Sequence, residues 1–498
     1  YMAYGFGDGG GGPTYEMLES ARRCGDLEGL GKSRHMSASA FMQQLESTVK
    51  NPNVYRGELY LELHRGTRNN RKSEIAIHNL EFLTVSNALR AGQPARHEAI
   101  DPLVETLLLN QFHDILPGTC IHRAHEESRA ATTKLLSDAN RLIAEASAGK
   151  GEGITLINTL SFDRSDPVFL PYRQGWHIQG GYRQQVYTNL DGETMLILCG
   201  VTVPAFSSVT LQWEKGEVVS TPFAVRSGST LTTPFARVTM DESGAFSSFV
   251  DIIADRELRG EGYALNTFLM AEDVPCSWDN WDIDADIEGK LKPQAVLLSS
   301  EVVSSGACAY ILRNAYRLSE KSTLTQDVIF FADSPEVRFD TKMDWQEEHR
   351  LLKACFDTTI REDFARQEIQ FGYVKRPTTR NTSLEQAKFE VLNHKYTDLS
   401  ESRFGVAILN DCKYGMLLNG SRMALSLHKG GVRPDHLGDK GVHRCVYSFL
   451  PHSGGFSAKA VIQPAYSLNT PLLISEGRYE VQPPIVCEAD NILIETIK

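Results

Sequence analysis

The sequence predicts a multidomain α+β protein, in which the end of an α/β domain precedes a three-helix bundle and large all-β sandwich domains. The chain has 498 residues, more than a single hydrophobic core ordinarily serves, so three or more domains are expected. Helical periodicity is confined to the first part of the chain, and short strand-like runs dominate the rest. The predicted segments are the end of the α/β domain 1–66, the helices 67–150, a small β-sandwich 151–215, a large β-sandwich 216–475 and terminal β-strands 476–498.

The α/β character of the first segment follows from its alternation of helix and strand signals. After a glycine-rich loop, a helix is predicted from Tyr15 to Cys24 and a short strand from Lys32 to Met36. Ser37 suits the N-cap of a second helix that ends near Lys50. Gly57–His64 alternates apolar and polar residues, as a half-buried strand does.

The second segment contains three helical patterns joined by short connections, which favours a small antiparallel bundle. Asp101 and Pro102 suit the N-cap and first position of the second helix, which Pro117-Gly118 is expected to end. The third helix is predicted from about Ile121 to Ala148. The apolar stripe of the first helix consists of Ile75, Ile77, Leu80, Leu83, Val85 and Leu89.

After residue 151 the composition changes to short strand-like runs bounded by turn residues. Such runs over several hundred residues indicate stacked β-sandwiches rather than one barrel. The clearest of them are ITLINTLSF, VFLPY, TMLILCGVTVP and SVTLQWE.

Composition excludes several classes of protein. The net charge of −12 argues against nucleic acid as a partner, and no apolar run is long enough to span a membrane. The nine cysteines form no CxxC pair, which predicts reduced thiols in a cytoplasmic protein rather than a disulfide framework. The chain begins with Tyr1, without a signal peptide, and natural sequence upstream of it is expected.

The sharpest local feature is His113 beside Asp114, in the run NQFHDILPGT. An imidazole suits zinc as a ligand, and an adjacent carboxylate can hold a sugar hydroxyl. The alternative is a histidine at a helix C-terminus that interacts with the helix dipole. The residues alone favour this second interpretation.

Asp8 lies in the loop GFGDGGGGPT, whose glycines let the backbone pass close to a ligand. A carboxyl group in such a loop, partly desolvated by a bound sugar, is suited to protonating a leaving oxygen. A solvated aspartate in a flexible loop is the alternative. A phosphate-binding loop fits poorly, because no Lys-Ser/Thr pair follows the glycines.

Polar residues elsewhere are weaker candidates. Glu62, His64 and Arg65 end a predicted strand, and His64 is expected to contact substrate unless these are ordinary strand-end residues. Asp411 and Lys413 could reach a site from the β region, but no role is assigned to them.

Two pairs of ring-bearing residues are assigned structural roles. His122 and His125 share a helix face but lack the HExxH arrangement, so they are predicted to be surface or packing residues. Trp278 and Trp281 could stack on sugar rings, although packing or loop anchoring is favoured.

Several segments together resemble glycoside hydrolase family 38 α-mannosidases of the cytosolic and bacterial branch. The resemblance covers essentially the whole chain, with the segments in the same order. These segments are GDGGGGPT, GELYLELHRGT, NQFHDILPGTCI, NTLSFDR, VPAFSSVTL, DVPCSWDNWDID and KFEVLNHKYTDLSE…FGVAILNDCKYG.

The resemblance implies a retaining α-mannosidase that hydrolyses terminal α-D-mannosyl residues of oligosaccharides with one zinc ion per active site. It implies that His113 is the last zinc ligand, that Asp114 binds the mannose hydroxyls and that Asp8 is the general acid/base. It also implies a β/α-barrel-like fold for the first segment and a mutarotase-like supersandwich for residues 216–475.

Parts of the family's site are not found in this sequence. The family's nucleophile is an aspartate that lies upstream of the position of Gly5. The family's His-x-Asp zinc ligands lie further upstream. No His-x-Asp triplet occurs in this sequence. The chain alone is therefore expected to have an incomplete metal site and no hydrolytic activity, and its expected partner is the missing N-terminal catalytic segment. The run ILIETIK is also expected to be clipped before a further strand.

Two alternatives to a hydrolase remain open at this point. One is a carbohydrate-binding or mutarotase-like β protein without hydrolase activity. The other is a structural fragment that assembles with a separately encoded catalytic chain. Further copies of the same chain, in a homo-oligomer, are an additional open class of partner.

Overall fold

The computed structural model describes residues 3–7, 11–52, 54, 68–487, 489 and 492–498. By its internal contacts the chain divides into two compact units, Tyr1–Tyr60 and Leu61–Lys498. No helix of the described residues is both long and apolar enough to cross a membrane.

The first unit contains two short, capped helices, α1 (Tyr15–Arg23) and α2 (Ala38–Thr48). Ser37 caps α2, because its hydroxyl oxygen accepts a hydrogen bond from the Ala40 amide at 3.2 Å. The predicted helices and the predicted N-cap are therefore confirmed.

The strand predicted from Lys32 to Met36 is wrong, since these residues are irregular. A strand requires a partner to pair with, and the described part of this unit contains none. The second predicted strand, Gly57–His64, lies outside the described residues. The α/β character predicted for this segment therefore stays a prediction.

The second unit begins with three helices, α3 (Arg68–Ala91), α4 (Asp101–Leu109) and α5 (His122–Ala146). The chain enters α4 at Ile100, its N-cap, so the N-cap predicted at Asp101 is one residue off. The buried residues of the helices form one core, which includes Ile77, Leu80, Phe82, Leu83, Leu103, Leu107, Leu135, Ala139 and Ile143.

The predicted change from helices to strands after residue 150 is confirmed. The first strands, in chain order, are β1 Lys150–Asn158, β2 Val168–Pro171, β3 Trp176–Ile178, β4 Arg183–Thr188, β5 Thr194–Cys199, β6 Ser207–Leu211, β7 Trp213–Lys215, β8 Val225–Ser227, β9 Thr230–Thr232, β10 Ala236–Met240, β11 Phe246–Asp251, β12 Arg256–Glu257, β13 Thr267–Glu272 and β14 Lys292–Pro293. The later strands are β15 Val296–Ser305, β16 Ala309–Arg317, β17 Thr323–Phe331, β18 Val337–Trp345, β19 Arg350–Asp357, β20 Phe364–Ile369, β21 Gly372–Pro377, β22 Val391–Leu392, β23 Tyr396–Ser400, β24 Phe404–Asn410, β25 Gly415–Asn419, β26 Arg422–Lys429, β27 Gly441–Ser453 and β28 Leu473–Arg478. Short helical segments interrupt them, namely α6 Ile287–Lys290, α7 Ser383–Ala387, the π-helix Ala458–Ile462 and α8 Gln463–Asn469.

The strands form antiparallel sheets, three of which are small. One has the order β28-β1-β6, a second β2-β5-β4, and the third pairs β3 with β7. Beyond Arg478 the described residues form no strand, so the terminal strands predicted over 476–498 are not found there. Val481, Ile494 and Ile497 instead pack against the core of the helices.

The other sheets share one extensive apolar core. Among the described residues, a nine-stranded sheet has the order β15-β16-β17-β18-β27-β24-β23-β20-β21, and a six-stranded sheet has the order β14-β13-β19-β26-β25-β22. A smaller sheet, β12-β11-β10-β9-β8, packs into the same core. Stacked rings fill its centre, with Phe339 on Tyr447 at 4.9 Å and Phe356 on Phe449 at 5.6 Å between ring centroids. This framework fixes the loops that face α5.

Candidate functional site

The turn that carries the His-Asp pair begins where α4 ends. The Asn110 side chain donates to the Thr106 carbonyl at 2.8 Å, and the Asn70 side chain of α3 donates to the Asn110 carbonyl at 2.8 Å. Both asparagines are buried. The bond from Asn70 satisfies the carbonyl of the C-cap residue, which the ending helix leaves unpaired, so α4 ends at Leu109 and the end predicted at Pro117-Gly118 is wrong.

Residues 110–118 form consecutive tight turns rather than a helix end. The Phe112 carbonyl accepts from the amides of Ile115 and Leu116 at 2.9 and 3.1 Å. The Asp114 carbonyl accepts from the Thr119 amide at 2.9 Å, and Gly118 supplies the positive φ of 74° that closes the turn. The backbone of His113 and Asp114 is therefore held by hydrogen bonds on both sides.

The side chains of His113 and Asp114 are 70% and 40% exposed, respectively. His113 Nε2 lies 3.4 Å from Asp114 Oδ2. The other carboxylate oxygen, Oδ1, accepts a 2.8 Å hydrogen bond from the hydroxyl of Thr119, which is buried. One oxygen of the carboxylate is thus fixed by the protein, and the other faces the imidazole at an accessible edge.

A loop from the β region braces this turn. Asn280 donates through its side-chain amide to the Gly118 carbonyl at 3.2 Å, although 162 residues separate the two positions. The loop is closed by a bond from the Cys276 amide to Asp284 Oδ2 at 2.9 Å. Trp278, at its tip, is 72% exposed and has a φ of 57°, while Trp281 lies in the wall of a cavity.

A second β-region segment links the same loop to α5. Asp279 Oδ2 accepts from the amides of Val432 and Arg433 at 2.7 and 3.0 Å. Asp435 follows Val432 by three residues, and its buried carboxylate lies 3.2 Å from Nδ1 of His122. His122, predicted to be a surface or packing residue, therefore joins the helices to the β region.

A cavity of about 630 Å³ opens between α5 and these loops. Its wall includes residues 115–118, which directly follow the His-Asp pair, and His125 of α5. Lys413 lines the cavity as well. Asp411 is tied to β27 instead, where its carboxylate accepts from the Val446 amide at 3.0 Å. Sequence reasoning missed the cavity because its wall combines residues that lie hundreds of positions apart.

The remaining predicted site residues, Asp8 and His64 with its neighbours Glu62 and Arg65, lie outside the described residues. The loop around Asp8 is closed at its base by a 3.0 Å bond from the Phe6 amide to the Gly12 carbonyl. A side chain at position 11 would place its Cβ 2.5 Å from the Phe6 carbonyl oxygen, so glycine is required there.

No group of three or more His, Cys, Asp or Glu side chains among the described residues is arranged to hold a metal ion. Burial raises the pKa of the Cys120 thiol, and the charges of Asp114 and Asp435 raise it further, which disfavours the thiolate that zinc needs. All nine cysteines are free, as predicted. His113 and Asp114 are chemically suited to zinc, but catalytic zinc sites use about three protein ligands.

Comparison with known proteins places these features in a family. A profile described as "Glycosyl hydrolases family 38 C-terminal domain" matches residues 231–437, and one described as "Alpha mannosidase middle domain" matches residues 64–148. Alpha-mannosidase 2C1 of Homo sapiens is 36% identical over 94% of this chain and 46% of that protein. Alpha-mannosidase G of Dictyostelium discoideum is 30% identical over all of this chain and 51% of that protein.

The solved structure of an alpha-mannosidase from Enterococcus faecalis V583 has the same fold, with a TM-score of 0.67 over 90% of this chain and 63% of that one, at 14% identity. The chain spans about half the length of the curated relatives it matches. Because the two profiles together match more than half of its residues, the chain belongs to glycosyl hydrolase family 38.

Proposed function

We propose that this chain forms the His113–Asp114 edge of a retaining α-mannosidase, which hydrolyses terminal α-D-mannosyl residues of oligosaccharides with the help of zinc. The observation that carries the proposal is the exposed His113–Asp114 pair on a turn fixed by hydrogen bonds. The names of its relatives, which are alpha-mannosidases, support the substrate class.

In this proposal the two side chains have different tasks. The imidazole of His113 is available as a metal ligand, because the ring is mostly exposed. Asp114 keeps lone pairs for sugar hydroxyls after accepting from Thr119, since a carboxylate can accept about four hydrogen bonds. Zinc, when bound, would supply Lewis-acid stabilisation of charge on the sugar oxygens.

Asp8 is proposed as the general acid/base, on a loop whose base is closed by the Phe6–Gly12 hydrogen bond. A retaining mechanism also needs a carboxylate nucleophile about 5–5.5 Å from the acid. We propose that an N-terminal catalytic segment supplies it, as well as the remaining zinc ligands, and that the chain alone is inactive. His64 is proposed as a substrate contact. The cytoplasm is proposed as the location of the protein, because free thiols are typical of that reducing compartment.

An Asp114→Asn variant of the full-length protein tests the assignment. It keeps the shape of the side chain but removes the negative charge that accepts the sugar hydroxyls. A lost charge-assisted hydrogen bond costs about 1.5–3 kcal/mol, so kcat/KM for an aryl α-D-mannoside is expected to fall about 10–150-fold. Asp138→Asn, at a half-buried position of α5 where the carboxylate pairs with Lys134, is the control. Equal kcat/KM in Asp114→Asn and the wild type would contradict the proposal.

Thr119→Val separates the positioning of Asp114 from its chemistry. The variant removes the hydroxyl that donates to Asp114 Oδ1 but leaves the charge of Asp114 in place, so kcat/KM is expected to fall about 3–10-fold, which corresponds to about 1 kcal/mol of lost positioning. Thr119→Ser retains the donor and is expected to recover most of the rate. A variant series in which serine and valine behave alike would show that the hydroxyl does not position the carboxylate.

A further inference from the structure

The cavity beside α5 has an unusual charge for this protein. The chain carries a net charge of −12, yet the described wall of the cavity contains six Lys or Arg side chains and two carboxylates, Asp435 and Asp439. The basic residues come from the helices, from loops and from strands of the β region. They are Lys72, Arg129, Lys413, Lys429, Lys440 and Arg444.

Three of these cations are neutralised by carboxylates. Lys429 pairs with Asp273 at 3.2 Å, and both side chains are buried. Lys440 forms an ion pair with Glu348, and Arg444 forms one with Asp340 at 2.6 Å. We assign these three cations a structural role rather than a role in ligand binding, because each already has a carboxylate as its counter-charge.

Two other cations have no carboxylate partner in the part of the chain that the structure describes. Arg129 is an exposed residue of α5, and Lys413 lies half-buried between β24 and β25. Both line the cavity, Arg129 from α5 and Lys413 from the β region. Of the carboxylates in the wall, Asp435 is engaged by His122 Nδ1 and by the Leu437 amide at 3.0 Å.

His443 lines the same cavity as Arg129 and Lys413. Its Nε2 donates to the Asp439 carbonyl at 2.5 Å, and its ring lies 4.3 Å from that of His428. Burial lowers the pKa of His443, the positive charge of Lys413 lowers it next, and Arg129 adds to the effect. The Asp439 carboxylate opposes them. The positive charges of Lys413 and Arg129 therefore act on a half-buried imidazole in the cavity wall.

We propose that this cavity binds a phosphate monoester or a similar dianion, with Arg129 and Lys413 as its direct ligands. Guanidinium and ammonium groups from two elements are the groups that bind phosphate oxygens in proteins. A volume of about 630 Å³ also accommodates a hexose attached to the phosphate, since small-molecule sites span about 300–1,000 Å³. The proposal concerns equilibrium binding and does not depend on the hydrolytic activity proposed above.

Isothermal titration calorimetry of the 498-residue chain tests this directly, at a fixed ionic strength set with chloride. Inorganic phosphate, D-mannose 6-phosphate and D-mannose are the probes. Saturable binding of at least one phosphate probe is expected. Equal affinity for both phosphate probes would identify the anion alone as the ligand. Binding of D-mannose 6-phosphate that is at least about tenfold tighter than binding of inorganic phosphate would identify a phosphorylated sugar. Both outcomes support the site.

Variants locate the bound anion. Arg129→Gln and Lys413→Gln are each expected to weaken phosphate binding about tenfold or more, which corresponds to one lost charge-assisted contact. Arg141→Gln is the matched control, because Arg141 lies on the same helix, pairs with Glu145 and does not line the cavity. Thermal unfolding checks that each variant is folded. The absence of saturable binding to the wild type, or unchanged affinity in both cavity variants, would overturn the proposal.

Discussion

Asp8→Asn is expected to lower the rate at which the full-length protein hydrolyses an unactivated alkyl or oligosaccharide α-mannoside by about 10²–10⁴-fold, the usual contribution of general acid–base catalysis. The amide cannot donate its proton to the leaving oxygen, nor can it remove one from the attacking water. The measurement is kcat/KM with an oligosaccharide as substrate.

The dependence on leaving group distinguishes an acid catalyst from a structural residue. The dinitrophenolate of a dinitrophenyl α-mannoside leaves readily without protonation. The substitution is therefore expected to lower the rate of glycosyl-enzyme formation far less with this substrate. Asp26→Asn is the matched control, since Asp26 is also in the first unit and pairs with Lys32 at 3.1 Å. Equal losses with both substrates would show that Asp8 is not the acid.

Lys353→Met is expected to lower the free energy of unfolding of the β region by about 3–5 kcal/mol, because it leaves the buried carboxylate of Glu390 without its cation. Lys353 Nζ contacts Glu390 and the Ser426 hydroxyl, the latter at 2.6 Å. The lysine and glutamate side chains are 0% and 1% exposed. Urea unfolding followed by tryptophan fluorescence measures the change.

The double variant Lys353→Met/Glu390→Leu is the control for this prediction. Removing both charges removes the uncompensated buried carboxylate, so most of the lost stability is expected to return. Lys134→Met, at an exposed position of α5, is expected to change stability by less than about 0.5 kcal/mol. A single variant as stable as the wild type would show that Glu390 finds another partner or is protonated.

Local sequence signals predicted the elements whose ends depend on nearby residues. Ser37 caps α2 through an amide three positions away, and this is visible in sequence. The end of α4 was predicted wrongly because it depends on Asn70, which is 40 residues from Asn110. The turn after the helix positions Pro117 and Gly118, but these residues do not end the helix.

The same distinction applies to the candidate site. His113 and Asp114 are adjacent in sequence, so the pair could be recognised without a structure. The hydrogen bond from Asn280 to the Gly118 carbonyl could not be recognised from sequence, since 162 residues separate the partners. The same is true of the contact between His122 and Asp435, which are 313 residues apart. The convergence of Arg129 and Lys413 on one cavity is hidden for the same reason.

Metal analysis of the full-length protein with and without the His113→Ala substitution tests the central claim most directly. About one zinc ion per chain is expected in the wild type, and the variant is expected to lose the metal together with activity on an aryl α-mannoside. His97→Ala, in the turn before α4, is the control and is expected to retain both. Unchanged zinc content and rate in His113→Ala would contradict the assignment of this imidazole as a metal ligand.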